Sequence, residues 1–147
     1  MADTDNMTLT IARQSIVDAG AGKNLCEGQP YLINDASAMN YFSLTWTSSG
    51  TGTFRDPHAI HPVYDPSEGD ILNGLVLLTL TATSMPPCTP VSSDTLILTI
   101  LKAPFVYTVP GGSICRDFPF HVTGAGAQNY SSLFWSHNGS GTLTGAN

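Results

Sequence analysis

Apolar and hydroxyl-bearing side chains alternate along most of this chain, and hardly any stretch spaces its apolar residues at the three-to-four interval of a helix. Residues 75–83 (LVLLTLTAT) and 95–100 (TLILTI) combine β-branched residues with a period of two, which predicts strands whose threonine-bearing face meets water. Residues 31–33 (YLI) and 41–46 (YFSLTW) predict two earlier strands. Residues 48–53 (SSGTGT) read as a hairpin turn that uses glycine for positive φ. The run His61-Pro62-Val63-Tyr64-Asp65-Pro66 predicts an edge strand, because each proline lacks a ladder donor. Residues 67–74 (SEGDILNG) carry a Ser cap, an acidic first turn and a closing Gly, which predicts one helical turn. The expected class is all-β, with Leu32, Leu44, Trp46, Leu78, Leu80 and Trp135 in the core.

The same pattern occurs twice. Cys26 recurs as Cys115, Tyr41 as Tyr130 and Trp46 as Trp135, always 89 positions on. Laying residues 5–58 on 94–147 gives 54 ungapped pairs, of which 18 are identical. Residues 5–11 (DNMTLTI) reappear as 94–100 (DTLILTI). A gap-free repeat of this length indicates an array of similar modules. The expected units are 1–13, the last strand of a preceding repeat; 14–102, a complete repeat; and 103–147, the N-terminal half of the next. A half unit has no second sheet over its apolar faces, so 103–147 is expected to be poorly ordered or aggregation-prone, with 7–11 as an orphan last strand. Short strands with turn signals about every 8–12 residues fit an immunoglobulin-like antiparallel β-sandwich. Its third-strand Trp normally fills the space between the sheets, which outweighs a sugar-stacking role for Trp46 and Trp135.

Composition narrows the functional classes. Only 11% of residues are charged, the net charge is −6, and the five Lys/Arg stand singly, so nucleic acid and anionic membrane are poor partners. No apolar run approaches the roughly 20 residues of a membrane-spanning helix, and no export signal opens the chain. There is no nucleophile elbow, phosphate-binding loop or His-Glu metal motif, so no catalytic residue is assigned and no cofactor is expected. Asp65 and Asp70 read as exposed loop carboxylates, without an environment that raises one pKa for acid catalysis. His58 and His61 lie near Arg55, Asp56 and Asp65, but nothing completes a tetrahedral metal set, and solvated loop residues are expected. Tyr41, Arg55, His58 and His61 form a weak candidate ligand surface for a glycan or protein.

The runs 17–20 (VDAG), 25–28 (LCEG), 44–54 (LTWTSSGTGTF), 62–67 (PVYDPS) and 77–83 (LLTLTAT) resemble the tandem Ig-like/PKD-like repeats of large Bacteroidetes surface proteins. The resemblance covers nearly the whole chain. It implies a secreted or cell-surface parent of adhesin or gliding-motility type, in which the partners of each module are its neighbouring repeats. It also implies pairing of Cys26 with Cys88, whereas strand order puts these two at opposite ends of the module, and bonded and free thiols both stand. The expected function is a non-catalytic, semi-rigid spacer. The alternatives are a glycan- or protein-binding module and an accessory domain of a secreted enzyme.

Overall fold

A computed structural model describes residues 3–145; residues 1, 2, 146 and 147, which belong to the expected flanking units, lie outside the described residues. The protein is all-β, with a single short helix among the described residues. Its contacts divide it into two units, Met1–Leu101 and Lys102–Asn147.

In the first unit the order is β1 (Ile16–Asp18), β2 (Lys23–Cys26), β3 (Tyr31–Leu32), β4 (Ser37–Met39), β5 (Tyr41–Ser48), β6 (Thr53–Phe54), β7 (Val63–Asp65), α1 (Glu68–Asn73), β8 (Leu75–Ser84) and β9 (Val91–Leu101). One sheet runs β2-β9-β8-β5, another β3-β7-β6, and β1 pairs with β4. All pairings are antiparallel except β2 with β9, which is parallel.

The alternating pattern dictates which face is dry. Val76, Leu78, Leu80 and Ala82 of β8 and Leu96, Leu98 and Ile100 of β9 are buried, while Thr79 and Thr95 meet on the other face, 2.9 Å apart. Leu44 and Trp46 of β5 join the same cluster, as do Tyr31, Ile33 and Tyr64 from the three-stranded side. Phe54 bridges the two groups, with ring centroids 5.9 Å from Trp46 and 4.9 Å from Tyr64. Trp46 keeps its indole N–H satisfied by donating to the Ala59 carbonyl at 3.2 Å.

Two expectations need correction here. Leu32 is 54% exposed and Ile33 takes the core position, because Tyr31 and Ile33 share one face of the strand and Leu32 the other. The segment around Val63 is the central strand of its sheet, not an edge. Pro62 and Pro66 flank β7 without entering it, and the Pro62 carbonyl accepts a hydrogen bond from the Ile33 N–H at 3.1 Å.

The Tyr31 hydroxyl is the one buried side-chain polar atom without a hydrogen-bond partner among the described residues, and burial pushes its pKa up, with the charge of Asp35 adding to the effect. Its counterpart one repeat on is Phe120. Tyr31→Phe should therefore leave stability unchanged or raise it by up to about 1 kcal/mol, since it removes an unpaid desolvation. Urea denaturation measures this, and a loss above that size would mean the hydroxyl has a partner.

Ordered packing starts at Ser15. Its N–H donates to Ser84 Oγ at 3.0 Å and its carbonyl accepts from Ser92 Oγ at 2.6 Å, which ties the start of the unit to the β8–β9 hairpin. Residues 3–14 form no strand, and Met7, Leu9 and Ile11 are 89, 76 and 83% exposed. The expected last strand at 7–11 thus has no ladder partner among the described residues.

The second unit contains β10 (Phe105–Tyr107) and β11 (Gly126–Gln128). These pair antiparallel with Phe105 opposite Gln128, one repeat period on from Ile16 opposite Met39 in the β1–β4 pair. Finer features recur at the same offset. Asn40 and Asn129 both have φ 56°, and Gly28 at 76° corresponds to Asp117 at 67°. The turn in which the Gln29 N–H meets the Cys26 carbonyl returns as Phe118 on Cys115. The repeat is therefore one of backbone geometry as well as of letters.

Candidate functional site

The most organised polar site in the first unit is built around Asp70, which is only 1% exposed. This corrects the expectation of an exposed loop carboxylate. Ser67 caps α1: its hydroxyl accepts the Asp70 N–H at 3.2 Å, while Asp70 Oδ2 accepts the Ser67 N–H at 3.0 Å, a reciprocal capping box. Gly74, at φ 73°, closes the helix by donating its N–H to the Asp70 carbonyl.

The carboxylate also reaches across to the glycine turn. Oδ1 accepts the Thr51 N–H at 2.9 Å, and Oδ2 accepts the Gly52 N–H at 2.9 Å and the Tyr64 hydroxyl at 2.8 Å. The Ser48 hydroxyl lies 2.7 Å from Tyr64 Oη, and Thr51 Oγ1 lies 2.6 Å from Ser67 Oγ. The glycines of this turn are not explained by positive φ, which neither Gly50 nor Gly52 has. A β-carbon on Gly50 would overlap Asp70 Oδ1, and one on Gly52 would crowd Asp70 Oδ2 and the Asp65 carbonyl. The turn is glycine-rich because its backbone wraps a buried carboxylate.

Burial alone would raise the pKa of Asp70, but the hydrogen bonds from Ser67, Tyr64, Thr51 and Gly52 outweigh it and hold the group below the ordinary carboxylate value. Burial also pushes the Tyr64 phenol up to about 12, with the hydrogen bond from Ser48 opposing that rise and the one to Asp70 adding to it. A carboxylate fixed in its charged form with its lone pairs occupied is a structural anchor. It is poorly suited to exchange protons with a substrate.

Of the four weak candidate ligand residues, Arg55, His58 and His61 are engaged inside the unit. Arg55 makes a two-point contact with Asp65, Nε to Oδ2 at 2.8 Å and Nη2 to Oδ1 at 2.9 Å, across the β6–β7 pair. That contact raises the pKa of Arg55 and, ahead of the opposing effect of burial, lowers that of Asp65. His58 Nδ1 lies 2.8 Å from the Leu44 carbonyl and His61 Nε2 lies 3.1 Å from the Ala36 carbonyl, so each imidazole N–H serves the backbone. Tyr41, at the start of β5, is 39% exposed beside the 69% exposed Phe42. Among the described residues no group of three or more His, Cys, Asp or Glu is placed to hold a metal ion.

Cys26, Cys88 and Cys115 are all free, so of the two alternatives for Cys26 and Cys88 the structure has the unbonded thiols. Cys26 ends β2 opposite Leu101, whereas Cys88 lies in the connection beyond Ser84 and Val91, at the far end of the hairpin. At about 3.3 Å per residue the length of β9 separates them by roughly 30 Å, against the roughly 7 Å limit between bonded Cα atoms. Native protein treated with a thiol-alkylating reagent without reductant should therefore take up three labels, read by intact mass. Two labels fewer would show a bond.

Two concavities stand out. One, of about 150 Å³, lies between residues 26–30 and Asp65, Pro66 and Ile71 in the first unit. The other, of about 250 Å³, lies in the second unit and is lined by Val106, Tyr107, Leu133, Phe134 and Trp135. Trp135, expected in a core, is 37% exposed. Sequence reasoning missed the Asp70 cradle, although the two halves of its signal, the Ser-Gly-Thr-Gly-Thr turn and the capping Ser67, were visible separately. Comparison with protein-family models, with curated proteins and with solved structures found no match.

Proposed function

We propose that this chain is a piece of a tandem array of Ig-like/PKD-like β-sandwich modules, whose work is to space and stiffen a large secreted or cell-surface protein, and not to catalyse. The carrying observation is the recurrence of the β1–β4 pair as β10–β11 in the same register, with only residues 102–104 between β9 and β10. So short a connection has none of the slack of a long flexible linker, which is what a spacer array requires. The Asp70 cradle supports the reading, since its hydrogen bonds lock a helix to a turn and leave no open chemistry. The internal bonding of Arg55, His58 and His61 likewise favours a scaffold over a binding face.

Tandem chains of one to four copies of residues 14–102, measured by small-angle X-ray scattering, test this directly. Each copy should extend the maximum dimension by about 35–45 Å, the length of a strand plus its loops. A dimension that stops growing after two copies would overturn the spacer. Reproducible glycan-array binding that is lost on Tyr41→Ala would move the assignment to a binding module.

A further inference from the structure

The outer face of the β2-β9-β8-β5 sheet is open to solvent in the first unit and uncharged from edge to edge. Register fixes what it presents. Leu77 stands opposite Ile97 toward one end, and Thr79 opposite Thr95 toward the other. The odd-numbered positions of 43–47, 75–83 and 91–101 continue this face across three strands, with Asn24 and Cys26 of β2 at its margin. None of these positions is Asp, Glu, Lys, Arg or His, so every charge of the chain lies elsewhere.

An outward threonine face is at home in water. The other end of this one is different, because Leu75, Leu77, Ile97 and Leu101 are 50, 39, 49 and 49% exposed with no charge among them. Clustered aliphatic side chains without charge have the composition of the middle of an interface. Charge, shape and area point to the occupant. Copies of a chain with net charge −6 repel one another, and on this face they approach without setting charge against charge. The face is also its own complement. A two-fold axis along the strands, between β8 and β9, lays Leu77 of one copy on Ile97 of the other and threonine rows on threonine rows. At about 3.3 Å per residue and about 4.8 Å between strands the face measures roughly 30 Å by 17 Å, so a pair buries on the order of 1,000 Å², the lower bound for a specific interface.

We propose that two copies of this chain pair face to face through these sheets as a two-fold dimer, anchored by the aliphatic end. The copies then point the same way along their strands. This goes beyond the spacer reading and does not depend on it.

The test follows the full chain by sedimentation velocity from the micromolar toward the millimolar range, in reductant so that Cys26 cannot cross-link the face. A reversible monomer–dimer equilibrium is expected, weakened at least about tenfold by Ile97→Lys and by Leu77→Lys, a change of about 1.4 kcal/mol. Each lysine lowers the net negative charge, so general repulsion alone would move association the other way. Leu72→Lys, at a residue 65% exposed on α1 and off this face, should leave the equilibrium unchanged. All three sites lie outside the core, and near-ultraviolet circular dichroism should match the parent. Mixing Leu77→Lys with Ile97→Glu should restore dimers, since lysine and glutamate then meet across the two-fold. A monomer at every concentration overturns the proposal, as does association that Ile97→Lys and Leu77→Lys leave intact or that Leu72→Lys weakens equally. A mixture that stays monomeric overturns the two-fold pairing.

Discussion

Asp70→Ala should lower the unfolding free energy of the first unit by about 4 kcal/mol, on a scale of about 1–3 kcal/mol for each buried donor left without an acceptor. The Ser67, Thr51 and Gly52 N–H groups and the Tyr64 hydroxyl all lose their partner together, with water and local relaxation recovering part of the loss. The acid limb of stability should change with it. The folded pKa of Asp70 lies below its ordinary 3.8, so its contribution is complete above that value and drains away as pH falls through the lower folded one. Tyr64 acts at the other extreme. Its folded pKa is raised from 10.0 to about 12, so the stability it confers is complete below 10.0 and is lost as pH rises toward 12. Urea midpoints at neutral pH and in acid check both statements for Asp70, and an acid limb in Asp70→Ala as steep as in the parent would show that other carboxylates set it.

Gly50→Ala should approach the same loss, at about 2–4 kcal/mol, by a different route. The backbone there lies outside the positive-φ region, so alanine is conformationally acceptable and the damage comes from a methyl group driven into Asp70 Oδ1. The double variant separates this from a backbone effect. With the carboxylate gone the methyl has nothing to strike, so Gly50→Ala with Asp70→Ala should cost little more than Asp70→Ala alone. Additive losses would mean that glycine is needed for the chain path itself.

The parts of the fold legible in the sequence are those encoded by neighbours along the chain. Residues 75–83 reveal a strand because every second side chain is apolar, and residues 67–74 reveal a capped helix because cap, acidic turn and closing glycine lie within one short run. The run Tyr31-Leu32-Ile33 hid its inward face, since three apolar residues in a row fit either parity and only the pairing of Tyr31 with Tyr64 decides. The prolines around Val63 misled because lying beside a strand and lying in one look alike in sequence. The purpose of Gly50 and Gly52 was out of reach, because the group they make room for comes from about twenty residues downstream. Trp135 shares the Ser-Leu-x-Trp run of Trp46 but is more exposed, and burial belongs to what packs over the ring.

The parallel pairing of β2 with β9 has a mechanical consequence. The strand near the beginning of the first unit is bonded to the one that ends it, Lys23 opposite Leu98 and Cys26 opposite Leu101. Tension that enters ahead of β2 and leaves beyond Leu101 drags these two in opposite directions along their own length. The rungs between them then bear the load together, instead of opening one after another, and the β5–β8–β9 ladder lies behind that clasp. Stretching such a module loads the Ser15 ties and the β1–β4 pair first, and must then slide β2 past β9 before the β5–β8–β9 ladder is disturbed.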